Sequence, residues 1–136
     1  MPGCIFHVSG ENFDVDAFLS NSSFRPYRVY HRGETAHRSR IFEDNGFSLD
    51  VSSADGDFAV EITDALAFLS THESELERLR DFPGVADMRL DFGYCRREVS
   101  VQCDYLPPNL LLCAGKLGIG IELSLYPACE PESTVA

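Results

Sequence analysis

The chain has 136 residues, 44% of them hydrophobic and 24% charged, with a formal net charge of −11. That is the length of one domain with a core of its own, and the composition is far from that of disordered chains. The acidity disfavours general nucleic-acid binding, which rests on neutralising phosphates, and no apolar run approaches the roughly 18 residues of a membrane span.

Met1-Pro2-Gly3-Cys4 carries neither the basic stretch nor the apolar core of a secretion signal. The five cysteines, Cys4, Cys95, Cys103, Cys113 and Cys129, are odd in number and irregularly spaced. They read as free thiols of a reducing compartment, so a cytoplasmic location is expected.

Cys4 to Ser9 reads as a first strand, turned by Gly10 to Asn12. Asp14 or Asp16 then caps a short helix ending near Ser20. Tyr27 to Arg32 is strand-like, with Tyr27, Val29 and His31 alternating against Arg28, Tyr30 and Arg32. A further strand is expected near Arg40 to Glu43, followed by a hairpin turn at Asp44-Asn45-Gly46. Phe47, Leu49 and Val51 alternate with Ser48, Asp50 and Ser52 in the next strand.

Leucines 66, 69, 76 and 79 recur at helical spacing across residues 60–81. A capping-box pattern at Ser70-Thr71-His72-Glu73 divides that stretch into two short helices with a bend. Two strands are read next, Val85 to Tyr94 and Glu98 to Tyr105. Pro107 opens a helix with Leu110, Cys113, Ala114 and Leu117 on its apolar stripe, and Gly118 closes it. Ile119, Ile121, Leu123 and Leu125 mark the last strand. Residues 1–127 are expected to form one domain and 128–136 a disordered tail. The expected order is βαβββαββαβ, an α+β two-layer sandwich whose largely antiparallel sheet carries helices on one face.

No motif demands a particular chemistry. Cys4 and His7 lie three apart on a strand and so point to opposite faces. A turn-like segment could bring His31 and His37 together, but no cysteine or second carboxylate–histidine pair completes a set. Cys95 has Arg96 and Arg97 as neighbours, but adjacent strand residues diverge, so it reads as an ordinary hairpin cysteine. The glycine-rich run from Gly115 to Gly120 leads from helix into strand, the reverse of a phosphate-binding loop. No catalytic residue, metal or cofactor is therefore expected.

Two surfaces remain. Five arginines, Arg25, Arg28, Arg32, Arg38 and Arg40, fall within residues 25–40, with His31 and His37 among them and Glu34 as the only acid. Such a cluster can bind phosphate or carboxylate, or it can pair with carboxylates of its own domain, which is the expectation adopted. The water-facing strand positions are acidic: Asp50, Asp87, Asp91, Glu98, Asp104 and Glu122.

Asp91-Phe92-Gly93, the run from Val99 to Pro108, Ala114 to Ile119 and Glu122-Leu123-Ser124-Leu125-Tyr126-Pro127 resemble a family of uncharacterised bacterial proteins of about this length. The resemblance implies a bacterial source and a domain of unknown function, and it brings no catalytic residues.

The leading expectation is a non-enzymatic protein-binding domain, an immunity or antitoxin-like protein that meets a basic partner through Asp91, Asp104 and Glu122. The alternative is a small-molecule or anion-binding domain, or a minor enzyme, using Arg28, Tyr30, His31 and Arg32. A third reading is a module that self-associates through sheet edges.

Overall fold

The computed structural model describes residues 2–127. The N-terminal alternation becomes strand β1 (Cys4–Gly10), with Cys4, Phe6 and Val8 buried and Ile5, His7 and Ser9 half-buried on the other face. Asp14 accepts from Ala17 N–H at 3.0 Å and so starts helix α1 (Val15–Ser20). Strand β2 (Arg28–Tyr30) is short. A 3₁₀ turn at His37–Ser39 lies between it and β3 (Asn45–Ser52).

Helix α2 (Phe58–Thr71), capped by Asp57, is followed after His72 by α3 (Glu73–Arg80). The expected bend is therefore present. The box pattern does not form, however, because Ser70 lies inside α2 and the residue that precedes α3, His72, makes no side-chain capping bond. Strand β4 (Asp87–Cys95), helix α4 (Pro108–Lys116) and strand β5 (Gly120–Tyr126) complete the chain.

The architecture is α+β, with one five-stranded, mostly antiparallel sheet in the order β2-β3-β1-β4-β5. Only β4 and β5 run parallel, because α4 carries the chain back between them. Two expected strands are absent. Arg40 to Glu43 contributes no more than an isolated bridge between Thr35 and Ile41, and Glu98 to Tyr105 is irregular. The place beside β4 that the second of these would need is taken by β5. The tail expected over 128–136 lies outside the described residues.

The helices cover one face of the sheet. Phe13, Phe18, Phe24, Phe47, Phe68 and Phe82 meet there in ring contacts of 5.4 to 6.4 Å between centroids. Each fully buried ring or leucine contributes on the order of 1.5–3 kcal/mol. One core position is anomalous. Glu61 of α2 is wholly buried and neither carboxylate oxygen has a partner. Burial, with Asp57 and Asp91 adding to it, pushes its carboxyl up to about 7. Cys4, Cys103 and Cys113 are free thiols as expected, but Cys95 is disulfide-bonded, which departs from that expectation. Among the described residues no helix is long and apolar enough to cross a membrane.

Candidate functional site

The helix-free face of the sheet can be read from the strand register. Arg28 pairs with Ser48, and Ser48 with His7; Tyr30 pairs with Gly46. Alternation puts these five positions on one side, with Arg89, Asp91, Glu122 and Ser124 continuing the row across β4 and β5.

The β2 end of this face is built around a missing side chain. A Cβ at Gly46 would stand 2.4 Å from Val8 O and 2.5 Å from Tyr30 Oη, so glycine is what lets the Tyr30 ring lie down on the sheet. Phe42 stacks on that ring at 4.5 Å, tilted by only 17°. Burial raises the Tyr30 phenol, although a hydrogen bond with Ser9 acts the other way. Beside it His7 shares a 2.8 Å hydrogen bond with Ser48 Oγ. Burial lowers the His7 imidazole, against the pull of Asp91, so it is neutral at pH 7.

The connection from β2 to β3 rises over this end as a pinned loop. His31 bridges Glu34 at 2.7 Å and Asp16 at 2.8 Å, and hydrogen bonds to both raise its pKa. Arg32 pairs with Glu11 at 3.0 Å. Asn45 accepts from Arg32 N–H and donates to Glu11 O. At the tip Arg38 and Ser39 both hold a φ of 61°, left-handed positions that non-glycine residues rarely occupy.

Between loop and sheet lies an open groove of about 900 Å³ lined by His7, Arg28, Tyr30, Arg40, Phe42 and Ser48, with the carboxylates Glu43 and Asp44 also on its wall. A second hollow of about 710 Å³ adjoins it, adding His37 and Arg38 to Arg28, Tyr30, Arg40 and Phe42. Arg28, Arg38 and Arg40 make no ion pair with any described residue. The expectation that the cluster pairs within its own domain thus holds for Arg32 and not for these three or for Arg25, which also makes no ion pair with a described residue. Three guanidiniums without an ion pair face a hollow with an aromatic floor, and although Glu34, Glu43 and Asp44 also line it, the guanidiniums can take a carboxylate or phosphate through forked hydrogen bonds.

The acidic positions are distributed differently. Asp91 and Glu122 do share the helix-free face, but each is engaged. Arg89 reaches Asp87 at 2.7 Å and Glu122 at 3.1 Å, and Ser124 donates to Asp91 at 2.6 Å. Asp104 is not on a strand. It sits in the 96–107 loop, where Tyr94 from the core face, Gln102 and Arg97 donate to it at 2.9 to 3.1 Å. Burial works against ionisation there, but those hydrogen bonds hold Asp104 below the usual carboxylate range.

Arg28 and Tyr30 are therefore brought together in the groove, Arg32 and His31 anchor its loop, and Asp104 stands apart from Asp91 and Glu122. His7, Ser48 and Phe42 were missed. The parity linking Ser48 to Phe47 and Leu49 placed it on the correct face, but nothing in the sequence paired it with Arg28. Among the described residues no three His, Cys, Asp or Glu groups converge in a metal-binding cluster.

Comparison with curated proteins and with solved structures finds no match. A family model does match, over residues 2–128, and the chain therefore belongs to DUF4279, a domain of unknown function.

Proposed function

We propose that this domain binds a small anion in the groove between the β2–β3 loop and the sheet. The ligand class is a carboxylate or phosphate joined to a flat or apolar body. The observation that carries the reading is the convergence of unpaired Arg28, Arg38 and Arg40 on the stacked Tyr30–Phe42 pair. The anion would meet the guanidiniums while the body lies against the rings. His7, neutral and tied to Ser48, supplies a polar inner wall without adding charge. Two adjoining left-handed residues at the loop tip support the same reading, since backbone strain of this kind concentrates at binding sites.

The other reading, an acidic sheet face receiving a basic protein as immunity proteins do, rests on the net charge of −11. The groove is preferred because Glu122 and Asp91 already have partners and Asp104 belongs to another part of the molecule.

Thermal melting and titration calorimetry with inorganic phosphate, citrate and benzoate, against neutral benzamide, test the proposal. A bound anion stabilises the fold by mass action, by about 2.7 kcal/mol at a hundredfold excess over Kd, and so raises the melting temperature. Arg28→Ala or Arg40→Ala should weaken that binding about 10- to 100-fold, the equivalent of one charge-assisted hydrogen bond. The reading fails if none of the anions stabilises the protein, or if both variants bind them as tightly as the parent chain.

A further inference from the structure

The two edges of the sheet are protected to very different degrees. At one end β2 offers only three residues, Arg28–Tyr30, preceded by Pro26. At the other end β5 offers seven, Gly120–Tyr126, with no proline, no lysine and no bulge in its pairing to β4. Natural edge strands are normally blunted by those devices. On β5 the helix-side residues Leu123 and Leu125 are 40% and 48% exposed, and Tyr126 is 48% exposed. Helix α4 packs over this strand and adds Leu111 and Leu112, both exposed.

The hydrogen-bonding direction of β5 follows from one contact. Tyr126 O accepts from Arg96 N–H at 3.0 Å, so the Tyr126 carbonyl faces the β4 side. Alternation then turns the N–H and C=O groups of Ile121, Leu123 and Leu125 outward, towards an edge with no further strand among the described residues.

We infer that β5 pairs antiparallel with β5 of a second copy of this chain, about a two-fold axis at Leu123, to make one continuous sheet. The strand is self-complementary in this register. Leu123 faces its own copy and Ile121 faces Leu125, joining apolar residues on the helix side. On the helix-free side Glu122 faces Ser124, so no like charges meet, and Tyr126 faces Gly120. The Tyr126 ring itself lies over Gly93 of its own β4, so Gly120 of the second copy meets no bulky side chain. Moving the axis to residue 122 would set Glu122 against itself, which cross-strand pairing disfavours. Isologous pairing also closes on itself, since each copy spends its single long edge. The interface is at the opposite end of the sheet from the groove and does not depend on it.

Light scattering and sedimentation equilibrium on the full chain across a concentration series test this. The expected mass is twice the 15.1 kDa of one chain. Leu123→Pro removes an outward N–H that bonds to no other described residue, and Leu125→Glu sets a charge into the apolar row. Both should be monomeric with an unchanged far-UV spectrum. If Leu123→Pro fails to fold, Leu125→Glu decides alone. A parent chain that stays monomeric throughout, a dimer that survives both substitutions, or open-ended polymers would each overturn the inference.

Discussion

Replacing Glu61 by Gln gives the most direct access to the energetics of this fold. The side chain is 0% exposed, both oxygens lack partners, and the nearby Gly93 N–H is already donated to Gly3 O at 2.9 Å. Its carboxyl is raised from 4.5 to about 7, mainly by burial. Below pH 4.5 the group is neutral in both folded and unfolded chains and has no effect on the balance between them. Between pH 4.5 and 7 the unfolded chain releases the proton first, so stability falls as pH rises. Above pH 7 the loss is complete. The gap corresponds to about 3 kcal/mol, or roughly 10 °C in melting temperature for a domain of this size. Glu61→Gln cannot ionise, so its advantage over the parent should be near zero at pH 4.5 and grow to about that size by pH 8. Paired urea titrations followed by circular dichroism across this range measure it. A difference that stays flat with pH would refute the claim that burial holds this carboxyl protonated.

Three further outcomes are expected. Gly46→Ala drives a methyl group into Val8 O and the Tyr30 ring, so it should lower stability by about 1–3 kcal/mol in urea unfolding and weaken anion binding in the same protein. In NMR titrations His31 should titrate above 6.5, held there by Glu34 and Asp16, and His7 below it; the His31 bridge is then present below pH 6.5 for as long as those carboxylates stay ionised, and is lost as pH rises through the folded pKa of His31. Tyr94→Phe removes a 3.0 Å hydrogen bond to the Asp104 carboxylate, so it should cost about 1.5–3 kcal/mol and speed amide exchange across residues 97–105; in the parent, burial and Asp104 push the Tyr94 phenol up to about 12.

Where one face of an element is buried, the sequence announced it. The alternations at Phe6 and Val8, at Phe47 and Leu49, and at Met88, Leu90 and Phe92 all became strands with those residues in the core. The same signal misled over Val99, Val101, Cys103 and Tyr105. These alternate just as cleanly, yet Val99, Val101 and Tyr105 are exposed and the segment is held by polar bonds to Asp104. Alternation says that a segment could lie on a sheet; it does not say whether a place is vacant. Strand direction was also hidden, since a parallel neighbour carries the same period as an antiparallel one. The groove was half legible. The arginine cluster was plain, but which of its members find carboxylates depends on Glu11 and Asp16 folding back beside β2, a contact between distant parts of the chain. Nothing marked Glu61, an acid in the first turn of a helix where acids are common.

The central position of β1 has a consequence for how the molecule comes into being. Both of its neighbours lie far downstream, β3 beginning at Asn45 and β4 at Asp87. As the chain leaves the ribosome, Phe6 and Val8 therefore wait for β3 before they find a neighbour, and the hydrophobic layer cannot close until β4 has emerged. Assembly is governed by pairings between distant segments, which slow folding. A chaperone that shields the first ten residues would act on this domain at its most vulnerable stage.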